Sequence, residues 1–325
     1  MTIYNLIKCL GKGSYGSVYQ VRNILNNKVY AMKRISTYNM REKDKRNLLN
    51  EMRILRYCNC PYILKCIDVV ANFTNIDIIT HLIRYGDFLT IIKSRKNLRF
   101  EEQLIWSYFI QVSLGLEYLH NNNIIHRDIK CGNIFLDRGD QVVIGDLGSS
   151  KIIKQQQRLN CTGGVGTPYY MCPQVMTRQE YSKDADVWGL GCYLFEIITF
   201  NPPFRGYSFH KLSQNIQNQK FSVSLESYSI YYGKELLKLV GKILKKYNRL
   251  DMSEILNLKE VEEKKYLIPY IEGKSRDIED FEDKFKDLVF YNWYDVVRKM
   301  KLKDKSIKPK LEKYVIPKIK KKFYY

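Results

Sequence analysis

No stretch of this sequence is apolar over anything near the roughly 20 residues needed to cross a bilayer. The opening Met1-Thr2-Ile3-Tyr4-Asn5-Leu6 has no charged segment followed by an apolar one. A transmembrane segment and a secretory leader are therefore not expected, and the chain reads as intracellular. Metal-type cysteine spacing is missing as well. The cysteines stand scattered at 9, 58, 60, 66, 131, 161, 172 and 192, and the one close pair, Cys58-Asn59-Cys60, lacks the spacing of a zinc knuckle. Reduced thiols are the expectation. No internal repeat occurs, and acidic residues are scarce beside basic ones, 34 against 54.

What is present is enough apolar material for a core: 45% of 325 residues are hydrophobic and 13% aromatic, the length of one large or two smaller domains. The net charge of +20 fits a polyanionic partner or merely a lysine-rich composition. Its distribution is uneven. Residues 296–325 hold twelve Lys/Arg against Asp304 and Glu312, about half of the excess in thirty residues. The run Lys318-Ile319-Lys320-Lys321-Lys322 admits nucleic acid, acidic cytoskeleton or an import receptor as partner, or no partner and a solvated tail.

Along the chain, residues 4–10, 17–22, 28–34, 69–73 and 77–82 read as short strands, and 47–57 as a helix through Leu48, Met52 and Leu55. From Glu101 the period becomes helical, with Leu104, Tyr108, Val112, Leu116 and Leu119 on one face. Val187–Phe200 reads as a buried helix and Lys234–Lys245 as an amphipathic one, while Asp251-Met252-Ser253-Glu254 is a capping box. After Leu258 the charge alternates. Ile278, Phe281, Phe285 and Leu288 begin an apolar stripe that Asn292 and Asp295 interrupt, which fits a single amphipathic helix better than a coiled coil.

The densest chemistry lies in Ile124-Ile125-His126-Arg127-Asp128-Ile129-Lys130-Cys131-Gly132-Asn133-Ile134-Phe135-Leu136. Polar groups held between apolar anchors are costly to desolvate unless they share a partner. Asp128, Lys130 and Asn133 are the candidates, with Ile129 and Cys131 as spacers. Downstream, Val142-Val143-Ile144-Gly145-Asp146-Leu147-Gly148 is an apolar strand ending in one carboxylate. Asp146 and Asn133 together offer the hard oxygens that Mg²⁺ prefers, and Asp128 is then free to accept a proton from a hydroxyl. Upstream, Leu10-Gly11-Lys12-Gly13-Ser14-Tyr15-Gly16-Ser17-Val18 brings backbone amides close to something negative, or is a glycine-rich hairpin with no ligand. Ala31-Met32-Lys33 sets a lysine in an apolar strand, where Glu51 on the following helix can pair with it. A surface lysine is the alternative.

In this order and spacing, with Asp186-Val187-Trp188-Gly189-Leu190-Gly191 further on, these motifs resemble the eukaryotic protein kinases over roughly residues 1–258. Asn133-Ile134-Phe135-Leu136, Gly145 before Asp146, and Gly166-Thr167-Pro168-Tyr169-Tyr170-Met171 resemble the NIMA-related (NEK) serine/threonine kinases more narrowly. The resemblance implies an α+β bilobal fold, with a β-rich N-lobe over 1–83, a mostly α C-lobe over 84–258 and a charged extension over 259–325. It implies ATP and Mg²⁺ as cofactors, Ser/Thr-bearing proteins as substrates and a cytoplasmic or nuclear location. Asp128 and Lys130 would be catalytic, and Asn133 and Asp146 would bind metal. Lys33, fixed by Glu51, would contact phosphates covered by Leu10, Gly11, Lys12, Gly13, Ser14, Tyr15 and Gly16. Val18, Ala31 and Leu136 would sandwich adenine, with His81 to Ile83, Leu82 at their centre, as hinge and Thr80 as gatekeeper. Lys130 and Thr167 imply Ser/Thr rather than Tyr specificity.

Departures from the family pattern are expected to matter locally. Gln174 stands where a glutamate would pair with Arg249, giving up the charge-assisted part of that bond. Arg127 resembles the arginine of kinases switched by an activation-loop phosphate, and Thr162 is the candidate acceptor, Gly163 standing at the more usual position, with Ser149 and Ser150 more distant. A kinase that needs no loop phosphate is the alternative. A scaffold that only binds would need a lost catalytic group, and all five principal groups are present.

Overall fold

The computed structural model describes residues 3–13, 16–38, 40–71, 74–96, 98–153, 157–159 and 168–269. They divide into two compact units, one holding residues up to 46 together with 67–80, the other 47–66 and 81 onward. The expected α+β fold is found: the first unit is a sheet and the second is mainly helical.

The first unit is built on β1 (Tyr4–Gly13), β2 (Gly16–Asn23) and β3 (Val29–Ser36), consecutive antiparallel strands. After α1 (Glu42–Tyr57) come β4 (Cys66–Ala71) and β5 (Asn75–His81), giving the strand order β1-β2-β3-β5-β4. Alternation sorts its faces. Val21, Tyr30, Met32 and Ile79 form a buried cluster on one side. Val18 lies directly opposite Lys33, and Gln20 opposite Ala31. Val18, Ala31 and Lys33 therefore share the other face, as does Thr80, the neighbour of Ile79. On the cluster side Arg34 makes a two-point ion pair with Asp77, at 2.8 and 2.7 Å.

The second unit continues with β6 (Gly86–Asp87), α2 (Phe88–Ser94), α3 (Glu102–Asn121), β7 (Ile124–Ile125), β8 (Ile134–Leu136), β9 (Val142–Ile144) and β10 (Lys151–Ile152). Then follow α4 (Pro173–Met176), α5 (Asp184–Thr199), α6 (Phe209–Gln217), α7 (Lys234–Ile243), α8 (Met252–Leu256) and α9 (Lys259–Glu262). α3 is buried nearly all round from Ile105 to Val112, more than a one-faced helix would be, because its other sides meet α5, β9 and α8. α5 is buried from Asp186 to Thr199. A Cβ on its Gly189 would sit 2.8 Å from the Ile129 Cβ and 2.9 Å from its carbonyl oxygen, so this glycine lets the loop after β7 lie directly on the helix. The capping box opening α8 is formed as expected, Asp251 accepting from the Glu254 N–H and Glu254 from the Asp251 N–H.

Arg249 is buried, and its charge is met by Asp184 at 2.7 Å while Gln174 Oε1 accepts from the same guanidinium at 2.6 Å. The ionic part of the interaction is thus relocated to Asp184. Gln174 also uses its amide N–H on the Lys246 carbonyl at 2.8 Å, a bond a glutamate could not donate. The stripe at 278–288 and the basic run at 318–322 lie outside the described residues.

Candidate active site

The loop 126–133 is anchored at both ends, since Ile124, Ile125, Ile134 and Leu136 are buried. Its backbone is held from below by Asp186. That carboxylate, 1% exposed, accepts from the N–H groups of His126 (2.8 Å) and Arg127 (2.7 Å) and lies 2.9 Å from His120 Nε2. Burial alone would raise its pKa. The hydrogen bond and charge of His120, with His126, outweigh that and hold it below the ordinary value.

Arg127 takes a left-handed backbone at φ 70°, and its guanidinium bonds the Ser149 carbonyl and reaches the Tyr181 hydroxyl. The ring of His126 turns the chain. Its Nδ1 accepts from the Asp128 N–H at 3.3 Å, so the ring proton is on Nε2, which donates to the Gly145 carbonyl at 2.9 Å. One buried side chain therefore ties Asp128 to the residue before Asp146.

Asp128, Lys130 and Asn133 do converge. Lys130 Nζ is 2.6 Å and Asn133 Nδ2 2.9 Å from the same oxygen of Asp128, and Asn133 Nδ2 also donates to the Asp128 carbonyl at 2.7 Å. The Asn133 amide nitrogen is thereby committed to Asp128, which leaves the amide oxygen as the hard donor a cation would meet. β8 and β9 pair with Ile134 opposite Ile144, and the Gly145 N–H closes the hairpin on the Asn133 carbonyl at 2.9 Å. Asn133 and Asp146 consequently leave the same end of one hairpin, a donor pair that suits Mg²⁺ completed by phosphate and water.

Asp146 itself is left-handed at φ 51°, ψ 67°, a strained backbone for a non-glycine residue, and Leu147 behind it is fully buried. Glu51 Oε2 and Asp146 Oδ1 lie 3.1 and 3.3 Å from where a Cβ on Gly148 would be. Asn50 Nδ2 bonds the Ser150 carbonyl at 2.8 Å, holding α1 to the segment after Asp146.

A Cβ at Gly145 would meet the Phe135 ring at 2.7 Å. Replacing Gly145 with Ala is therefore expected to cost about 1–3 kcal/mol in unfolding free energy by chemical denaturation. A cost below about 0.5 kcal/mol would mean the ring simply moves aside.

Beyond β5, the Tyr85 N–H donates to the Leu136 carbonyl at 3.1 Å and the Arg84 N–H to Asp137 Oδ1 at 3.1 Å, so Arg84 and Tyr85 are fitted into the strand pairing. Leu82 is half-buried there. In the first unit Gly11 lies opposite Val18, Lys12 opposite Ser17 and Gly13 opposite Gly16. Leu10 falls at the irregularity between Cys9 and Gly11 and is exposed. Ser14, Tyr15, Thr162 and Thr167 lie outside the described residues.

Two groups escaped the sequence reading. Ile129 and Cys131 are not spacers: Ile129 seats the loop on Gly189, and the buried Cys131 thiol hydrogen-bonds Glu196 on α5. Glu196 also accepts from the Tyr170 hydroxyl. Burial pushes the Glu196 carboxyl up despite the bonds from Tyr170 and Cys131. A lone glutamate inside an otherwise apolar helix was the available signal.

These features define a phosphotransferase-type site on a two-unit α+β scaffold, and residues 4–267 match the family "protein kinase domain". The chain belongs to the protein kinase family. It is 33% identical over 248 residues to the probable serine/threonine-protein kinase nek2 of Dictyostelium discoideum, covering 74% of this chain and 59% of that protein. It is 31% identical over 264 residues to the serine/threonine-protein kinase Nek2 of Homo sapiens, covering 78% and 58%. To the serine/threonine-protein kinase Nek6 of Oryza sativa subsp. japonica it is 32% identical over 247 residues, covering 76% and 45%. The kinase region is thus of the NEK type, and the match spans about half the length of these relatives. Among the described residues no helix is long and apolar enough to cross a membrane.

Proposed function

We propose that this chain transfers the γ-phosphoryl group of ATP to serine and threonine hydroxyls of intracellular proteins. The observation that carries the proposal is the convergence of Lys130 and Asn133 on one oxygen of Asp128, at 2.6 and 2.9 Å, with Asp146 at the end of the same hairpin. Asp128 receives the hydroxyl proton as the substrate oxygen bonds the γ-phosphorus and the bond to the β–γ bridging oxygen breaks, releasing ADP. Lys130 lends positive charge to the transferring group. Asn133 and Asp146 hold Mg²⁺, which when bound neutralises charge on the phosphates.

Within the same proposal Lys33, fixed by Glu51, takes the α- and β-phosphates, and the amides around Ser14, Tyr15 and Gly16 cover them. Leu10, Val18, Ala31 and Leu136 receive adenine, the backbone of 81–83 is the hinge with Leu82, and Thr80 is the gatekeeper. The presence of Val18, Ala31, Lys33 and Thr80 on one sheet face supports those roles. The catalytic domain is taken as residues 1–258, and Val261 just beyond that boundary is fully buried. The region 259–325 is a charged extension whose basic end suits an acidic partner.

Thr162 is proposed as the loop phosphorylation site, with Thr167 bounding the hydroxyl side. A Thr162→Ala variant is expected to lose most of its activity, and full activity would remove that assignment. The decisive experiment incubates the chain with γ-labelled ATP, Mg²⁺ and generic protein substrates, followed by phosphoamino-acid analysis. Label is expected on serine and threonine. Label on tyrosine alone would overturn the specificity, and absence of transfer would overturn the activity.

A further inference from the structure

A cavity of about 600 Å³ opens on the helical unit between the turn at Pro168–Tyr170 and the start of α6, lined by Tyr169, Pro202, Arg205, Gly206, Tyr207, Lys211 and Asn215. Two of these are cations, and none of the lining residues is an acid. The neighbouring His210 is exposed and adds no negative charge. Glu196 is close enough for Arg205 to lower its pKa, but it is buried and already accepts from Tyr170 and Cys131.

Arg205 donates to the neutral Asn201 side chain at 2.8 Å and carries its charge to an exposed surface. The aromatic part of the cavity is unusually open as well. Tyr207 is 93% exposed and Tyr169 41% exposed, although burying rings is what most favours folding. Two cations and two exposed rings lining one cavity match a ligand carrying a carboxylate beside apolar surface.

The cavity is linked to the candidate active site through contacts inside this unit. Tyr169 shares its turn with Tyr170, whose hydroxyl bonds Glu196. Glu196 in turn accepts from Cys131, one residue from Lys130. An extended peptide advances about 3.3 Å per residue, so five residues on either side of an acceptor hydroxyl reach about 16 Å from it.

We infer that Arg205 and Lys211 form a specificity subsite that takes an aspartate or glutamate of the protein substrate within about five residues of the phosphorylated hydroxyl. The inference rests on the kinase reading above. It adds a substrate class: acid-flanked serine and threonine sites.

The test uses the full chain and a serine peptide set in which one Asp or Glu is moved through five positions on either side of the acceptor of an otherwise neutral sequence. At one or two positions the acid is expected to raise kcat/KM about fivefold, the range of a partly exposed ion pair. The Arg205→Gln/Lys211→Gln variant is expected to lose that preference, and Arg205→Glu/Lys211→Glu to prefer lysine at the same positions. Both should phosphorylate the neutral peptide within about twofold of wild type, which certifies folding. Wild type that phosphorylates the neutral peptide without an acid preference overturns this inference alone, as does a preference that survives in both variants. Wild type that phosphorylates no peptide overturns the kinase reading and this one with it.

Discussion

Replacing Asp128 with Asn is expected to lower kcat about a thousandfold while changing the affinity for ATP less than about threefold. The change is nearly isosteric. Lys130 and Asn133 meet one oxygen of Asp128, at 2.6 and 2.9 Å, and an amide oxygen in that place still accepts from both, so the loop keeps most of its shape. What disappears is the group that accepts the hydroxyl proton. The amide NH₂ takes the place of the other carboxylate oxygen, where it donates and cannot accept. The loss acts on the transition state and not on nucleotide binding. Steady-state kinetics with varied ATP, with direct nucleotide titration alongside, separates turnover from affinity. A kcat within about tenfold of wild type would mean that Asp128 only positions substrate.

Asp128, Lys130 and Asn133 were legible because folding alone gives no reason to set polar groups between Ile125 and Ile134. The strands of the first unit were legible for a similar reason: Tyr30 and Met32 alternate with Ala31 and Lys33, and the structure buries the first pair and half-exposes the second. α1 begins at Glu42 and not Asn47, since its first turn is charged throughout and shows no apolar period. The all-round burial of α3 was hidden by the same limit, because a period reports the strongest face and not how many neighbours a helix has. The partner of Cys131 was illegible for a different reason. Glu196 stands 65 residues further on, and α5 comes under the loop only through tertiary contacts, the packing of Gly189 on Ile129 and the bonds of Asp186 to the His126 and Arg127 N–H groups. Gln174 was read correctly as a hydrogen-bonding partner of Arg249, but the carboxylate that keeps the buried guanidinium neutralised, Asp184, comes from the start of a helix whose orientation the sequence does not reveal.

Asp186 carries the largest expected effect on stability. It is buried, receives two backbone N–H bonds and one from His120, and does no chemistry itself. Removing it as Asp186→Ala strands three donors in a water-free site, at a cost of about 3–5 kcal/mol. Asp186→Asn keeps the volume but turns one acceptor oxygen into a donor, so about 2–3 kcal/mol is expected at pH 7.

The pH dependence has a definite sign. The folded carboxyl titrates below its ordinary 3.8, so its contribution is complete above about pH 4 and is lost as the pH falls through the lowered folded value. The gap in unfolding free energy between wild type and Asp186→Asn should be constant from pH 7 to about 5 and narrow below pH 4. A gap that widens on acidification would show that Asp186 is neutral in the folded protein. Activity should fall too, by about a hundredfold, because the His126 and Arg127 backbone sets where Asp128 points, and small displacements of a reacting group are costly. That loss should appear in kcat with little change in KM for ATP, and it should persist at temperatures where the variant is still fully folded. Only a positioning role satisfies both conditions, since a variant that merely unfolds would recover full turnover per folded molecule on cooling.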